Sequence, residues 1–129
     1  DAFNFVANWN LMLRIGVFGV GHLGKIHVKL LLQQSSRFEI IGFYDPSDEA
    51  ATFAISQFGT ERFTDPELLI DSVVKAATEN QSDVVSLNVN RFNTAVTFYQ
   101  KMGFDIVGEE DVALDHGYLM EDYKMEFKI

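Results

Sequence analysis

Gly19, Gly21 and Gly24 stand in the run G-V-G-H-L-G, with Val20, His22 and Leu23 between them. Glycines at this spacing, between a strand and a helix, can cradle a pyrophosphate. The first permits a tight turn, the second lets the backbone approach the phosphates, and the third lets helix and strand pack closely. The following helix would offer free N–H groups and the positive end of its dipole to the anion. His22 and Leu23 lie inside the turn and belong to the same candidate cofactor-binding set. Asp45 closes the next expected strand, where a carboxylate would accept hydrogen bonds from the ribose hydroxyls of NAD. An acid at that place disfavours the additional phosphate of NADP. The competing reading is that the glycines serve only the turn and its packing.

Other chemistries are poorly represented. The chain has no cysteine, which removes disulfides and thiolate metal sites. His22, His27 and His116 are scattered without metal-ligand spacing, so no metal site is expected. No Ser–His–acid arrangement can be read. The pairs and runs Asp48-Glu49, Glu109-Glu110-Asp111 and Glu121-Asp122 read as solvated edges and caps. Nineteen acidic residues against ten basic ones give a net charge of −9. That field disfavours nucleic acid and anionic membrane as partners. No apolar run approaches the ~20 residues that span a bilayer. Residues 1–10 carry no basic region, so they are not read as a secretory signal; they read as a leader or as an extra strand. Without a signal, a spanning segment or cysteine, the chain is of cytoplasmic type and its location is otherwise unspecified.

The elements that must position these residues follow from periodicity. With 47% apolar and 22% charged residues in a chain of 129, a single globular domain is expected. Residues 1–10 alternate, with Phe3, Phe5, Ala7 and Trp9 on one parity. Residues 12–19 form an apolar run typical of a buried parallel strand. A helix is expected over 22–35, with Leu23, Ile26, His27, Leu30 and Leu31 at helical spacing. A strand over 39–44 ends at Asp45-Pro46. Ser47 caps a helix over 48–58, which Gly59 stops. A short strand near 61–64 leads through Asp65-Pro66 into a helix over 66–80. A strand at 84–89, a helix near 92–102 and strands at 104–111 and 118–128 complete the chain, the last two joined around His116-Gly117.

Three stretches carry a family resemblance. RIGVFGVGHLGKIHVKLL, FEIIGFYDPSDE and RFTDPELL together resemble the N-terminal part of the glucose–fructose oxidoreductase/inositol dehydrogenase/MocA family, over about residues 12–70. The resemblance includes His27 and implies NAD as the cofactor. In that family a Glu-Lys-Pro motif after the fifth strand supplies a lysine near the substrate. This sequence has no such motif, and the large substrate domain has no counterpart in it. Hydride transfer would then lack both an oriented substrate and a proton donor.

From about residue 69 the resemblance changes. LLIDSVVKAATEN and LNVNRFNTAVTFYQKMGF are similar to the C-terminal part of the GNAT N-acetyltransferases. That likeness implies acyl-CoA contacts for Asn88 and Asn93, and a thiolate-protonating role for Tyr99. The pyrophosphate loop of those enzymes is replaced here by RFTDPE, so acetyl-CoA is disfavoured, and Tyr99 reads foremost as aromatic packing beside Phe92 and Phe98. Two fragments spliced within the shared text PELLIDSV would keep the strand–helix grammar. The sequence therefore reads as a chimeric or designed α/β domain, with a Rossmann-like half over 11–68 and an acetyltransferase-like half over 69–129. Its expected fold is a three-layer, mostly parallel sheet ending in an antiparallel hairpin, with strand order 3-2-1-4-6-5, in which the last strand lies between its two predecessors as the acetyltransferase resemblance implies. No catalytic activity and no required cofactor are expected of it. The alternatives are a residual NAD(H)-binding module and a degenerate acyl-CoA-binding domain. An exposed edge strand would favour a homodimer.

Overall fold

The computed structural model describes residues 13–113, 117 and 119–129, with only the backbone described for His22 and Leu23. The alternating segment 1–10 and His116 lie outside the described residues. The elements run β1 (Leu13–Phe18), α1 (His22–Leu32), β2 (Phe38–Tyr44), α2 (Asp48–Phe58), β3 (Arg62–Phe63), α3 (Pro66–Glu79), β4 (Val84–Asn90), α4 (Ala95–Lys101), β5 (Asp105–Ala113) and β6 (Leu119–Lys128). The chain forms two compact units, one ending at Ala76 and the other running from Ala77 to Ile129. Their boundary falls within α3. The fold is α/β, with a parallel sheet β1-β2-β3 and an antiparallel sheet β4-β6-β5. Both three-strand runs of the expected order are present, each as a sheet of its own.

In the first unit β1 and β2 pair in parallel, with one irregularity. Ile15 faces Ile40 while Gly16 faces Gly42, so Ile41 is passed over. The bulge puts Ile40 and Phe43, three residues apart, on the same side of the sheet. There they join Ile15 and Val17 of β1, Val28 and Leu31 of α1, and Ala51, Ala54 and Phe58 of α2 in one core. The opposite side of β1 meets α3. A Cβ on Gly16 would stand 2.9 Å from Val73 Cγ2 and 3.1 Å from Leu69 Cδ1. Helices thus cover both faces of the parallel sheet, as its apolar strands require.

The helix ends follow local chemistry. Ser47 caps α2 by accepting from Ala50 N–H at 3.2 Å. Gly59 closes it in the left-handed conformation, φ 63°. Asp65 accepts from Glu67 N–H at 2.9 Å at the start of α3.

The helical spacing expected within α1 does not by itself mark its buried side. Val28 is buried and Leu31 half-buried, whereas Ile26, His27 and Leu30 are exposed. The rotation is set by Gly24, which lies against the Gly19 carbonyl. Gly24, Val28 and Leu31 are spaced four and three apart and share the inward side.

In the second unit β6 lies between β4 and β5, antiparallel to both. Met125 is fully buried, and Tyr99, Phe104 and Val89 are nearly so. The helix expected near 92–102 starts later, at Ala95. Asn90 Oδ1 accepts from Phe92 N–H at 3.0 Å and Asn93 Oδ1 from Ala95 N–H at 2.8 Å. These Asx turns compete successfully with an earlier helical start. Gly103, φ 103°, lies against the Phe127 ring and turns the chain into β5.

Candidate functional site

The C-terminal ends of β1 and β2 hold the glycine turn. Gly19 has φ 89°, a conformation that side-chain-bearing residues rarely adopt. A Cβ on Gly24 would collide with the Gly19 carbonyl oxygen and stand 2.7 Å from its carbon. Both glycines are therefore demanded by the fold. Gly21 is different. It caps α1 with φ −67° and ψ −155°. A Cβ there would meet nothing within 4 Å. Neither backbone strain nor crowding requires a glycine at that place; glycine is a favoured N-cap, and its bare backbone leaves room for an approaching group.

Asp45 is drawn into the turn. Its Oδ2 accepts from Val20 N–H at 2.9 Å and its Oδ1 from Ser47 N–H at 2.8 Å. The neighbouring Tyr44 carbonyl accepts from Gly19 N–H at 2.8 Å. The end of β2 thereby grips the glycine turn through two successive residues. Asp45 is only 8% exposed. Each carboxylate oxygen retains further acceptor capacity, so the ribose role read from sequence shares the group with a structural one.

Arg62, not singled out from sequence, completes this end of the sheet. Its guanidinium donates to the Asp45 carbonyl at 3.0 Å and pairs with Asp48 at 2.9 Å. Its Nε is buried without a hydrogen-bond partner. The short β3 was legible, but the direction of an arginine on a two-residue strand is fixed only by what surrounds it.

The N-terminus of α1 is open to an anion in a way that α2 and α3 are not. Among the described residues no side chain caps α1, and its first turn contains no acid. By contrast α2 has Ser47, Asp48 and Glu49, and α3 has Asp65 and Glu67. The Gly19 and Val20 N–H groups are already engaged by Tyr44 and Asp45, so an anion at this helix end would have to meet the N–H groups from Gly21 onward.

The remaining candidates have local partners in the second unit. Asn88 Nδ2 donates to Glu110 Oε2 at 3.3 Å. Asn93 starts α4, as above. Tyr99 packs against Phe98 and Phe104, with ring centroids 5.5 and 5.9 Å away. Burial pushes its phenol above the ordinary value. Arg91 gathers Asp111 at 2.7 Å, Glu121 at 3.0 Å and Glu109 at 3.9 Å. Its hydrogen bond to Asp111 leads in holding its pKa above the usual value. Among the described residues no group of three or more acids and histidines is placed to hold a metal. Among them, too, no helix is long and apolar enough to cross a membrane.

Strand, glycine turn, helix, strand and terminal acid, in that order on a parallel sheet, define a Rossmann-type domain. The family comparison carries this further. A model of the Gfo/Idh/MocA oxidoreductase family, NAD-binding Rossmann fold, matches residues 13–101, and the chain belongs to that family. The match runs past residues 67–69, where the two resemblances meet, and includes Asn88, Asn93 and Tyr99. No curated protein matches the sequence. Among solved structures, the chain is similar to Sp1610 of Streptococcus pneumoniae, a protein provisionally assigned as a tRNA (m1A22) methyltransferase. The identity is 14% and the TM-score 0.46, over 99% of this chain and 70% of that one. That likeness is too slight to bear on function.

Proposed function

We propose that the first unit is an NAD(H)-binding module that holds the cofactor's pyrophosphate at the N-terminus of α1. The carrying observation is Gly21, a glycine for which the fold itself has no requirement. The uncapped, acid-free first turn of α1 and the family match support the same reading. Gly19 and Gly24 shape the turn, and Asp45 holds it while facing the ribose end. The NAD ring system supplies hydride chemistry when bound. Gly19, Gly21, Gly24 and Asp45 bind and orient the cofactor without moving a proton, so the module's role is binding rather than turnover.

The test is calorimetric titration with NADH, alongside acetyl-CoA as a comparison ligand. We expect saturable NADH binding that Gly21→Val abolishes while the thermal unfolding transition persists. Equal NADH affinity in the wild type and Gly21→Val would overturn the proposal.

A second reading treats the chain as a recombined scaffold without ligand. The division into two units within α3, near the meeting point of the two resemblances, favours it. Silence in both titrations, with a cooperative unfolding transition, is its expected outcome.

A further inference from the structure

The rotation of α1 imposed by Gly24 leaves an apolar side of that helix unburied. Beside α2 it forms an open groove of about 630 Å³. Ile26 and Leu32 of α1 and Phe53 and Phe58 of α2 provide its apolar surface. Ile26, Leu32 and Phe53 are each at least 40% exposed. Lys25 and Lys29 stand on the same wall, one helical turn apart, and the other lining residues are glutamines. None of Gly19, Gly21, Gly24 and Asp45 lines it.

Charge distinguishes this groove from the rest of the molecule. The chain carries nineteen carboxylates to ten cations, yet the groove contains two cations and no carboxylate. Neither lysine makes an ion pair among the described residues. Lys25 Nζ lies 4.6 Å from the Phe53 ring centre, which holds the ammonium over the apolar surface. An occupant must cover hydrocarbon and present negative charge to two lysines one helical turn apart, whose Cβ atoms are about 6 Å from each other. The volume falls within the ~300–1,000 Å³ typical of small-molecule sites.

We propose that the α1–α2 groove binds a small amphipathic anion, an apolar chain or aryl body ending in a carboxylate. The hydrocarbon lies along Ile26, Leu32, Phe53 and Phe58, and the carboxylate bridges Lys25 and Lys29. The site is separate from the glycine turn, and its occupation does not depend on a bound dinucleotide.

The test uses the whole chain and decanoate below its micellar concentration, followed by amide NMR shifts. Decanol and decyltrimethylammonium serve as neutral and cationic probes of the same length. We expect saturable decanoate shifts confined to residues 25–33 and 53–58. Binding should weaken about tenfold for decanol, and about tenfold for decanoate in the double variant Lys25→Gln/Lys29→Gln. The same variant should bind decanol as the wild type does, which shows that the groove is intact. Three results would overturn the proposal. They are equal affinity for the anionic and cationic probes, decanoate shifts centred on Gly19–Gly21, and groove shifts that grow with protein concentration alone, the sign of a second copy.

Discussion

Replacing Gly24 and Gly21 by alanine separately distinguishes a glycine kept by the fold from one kept by a ligand. At Gly24 the new methyl would overlap the Gly19 carbonyl and stand 2.7 Å from its carbon. Backbone cannot swing aside as a side chain does. Overpacking of this kind costs about 1–3 kcal/mol, and a rigid neighbour places the cost toward the upper end. For a chain of this size that corresponds to a fall in Tm of about 4–12 °C. At Gly21 the terms nearly cancel. The backbone, φ −67°, is accessible to alanine and no atom lies within 4 Å. Reduced freedom of the unfolded chain stabilises by about 0.4–1 kcal/mol. Loss of glycine at a helix N-cap opposes this by a similar amount, about 0.5–1 kcal/mol. Gly21→Ala should therefore unfold within about 2 °C of the wild type while NADH binding weakens. Urea and thermal unfolding give the stabilities, and calorimetry gives the affinity. If Gly21→Ala is as destabilised as Gly24→Ala, or Gly24→Ala is unaffected, the assignment of separate roles is refuted.

Further outcomes follow from the same structure. Asp45→Ala leaves the Val20 and Ser47 N–H groups without their acceptor, and urea unfolding should show a loss of about 2–4 kcal/mol; a loss below about 0.5 kcal/mol would contradict the strut role. Tyr99 has a native pKa raised by burial, so the folded state keeps the proton longer than the unfolded state. The stability this represents is complete below about pH 10 and is lost as pH rises from there through the native value. The Tm of Tyr99→Phe should accordingly fall less steeply than that of the wild type above pH ~10, and parallel slopes would exclude the effect. Arg91→Gln leaves Asp111, Glu121 and Glu109 facing one another. The variant should be less stable at low ionic strength, with the gap narrowing in molar salt; a gap independent of salt would point to packing instead.

The legibility of this chain differs sharply between local and long-range features. The sequence by itself determined the order of elements and most of their ends. Ser47, Gly59, Asp65 and Pro66 act within one turn of their own position, so their chemistry can be read without knowing the fold. The same holds for the glycine turn, whose three spaced glycines announce a strand-to-helix turn, and for membership in the matching family. Crossover helices made the parallel neighbours of the first sheet legible and a short link the β5–β6 hairpin, whereas the place of β6 between β4 and β5 was implied only by the acetyltransferase resemblance.

Only the tertiary structure decided which glycine the fold needs. Gly19, Gly21 and Gly24 are identical in sequence terms, and they separate only once φ 89° at Gly19 and the collision at Gly24 are known. It also decided which side of α1 is buried. Leu23, Ile26, Leu30 and Leu31 made an apolar stripe as plausible as Gly24, Val28 and Leu31, but helical spacing fixes a stripe and not its rotation. A single close contact with Gly19 turned the helix and left Ile26 and Leu32 outside. The Val20–Asp45 and Arg62–Asp45 hydrogen bonds belong to the same class of fact. Periodicity and capping act over a few residues, whereas these two contacts join groups twenty-five and seventeen positions apart, and such separations acquire a geometry only when the chain folds.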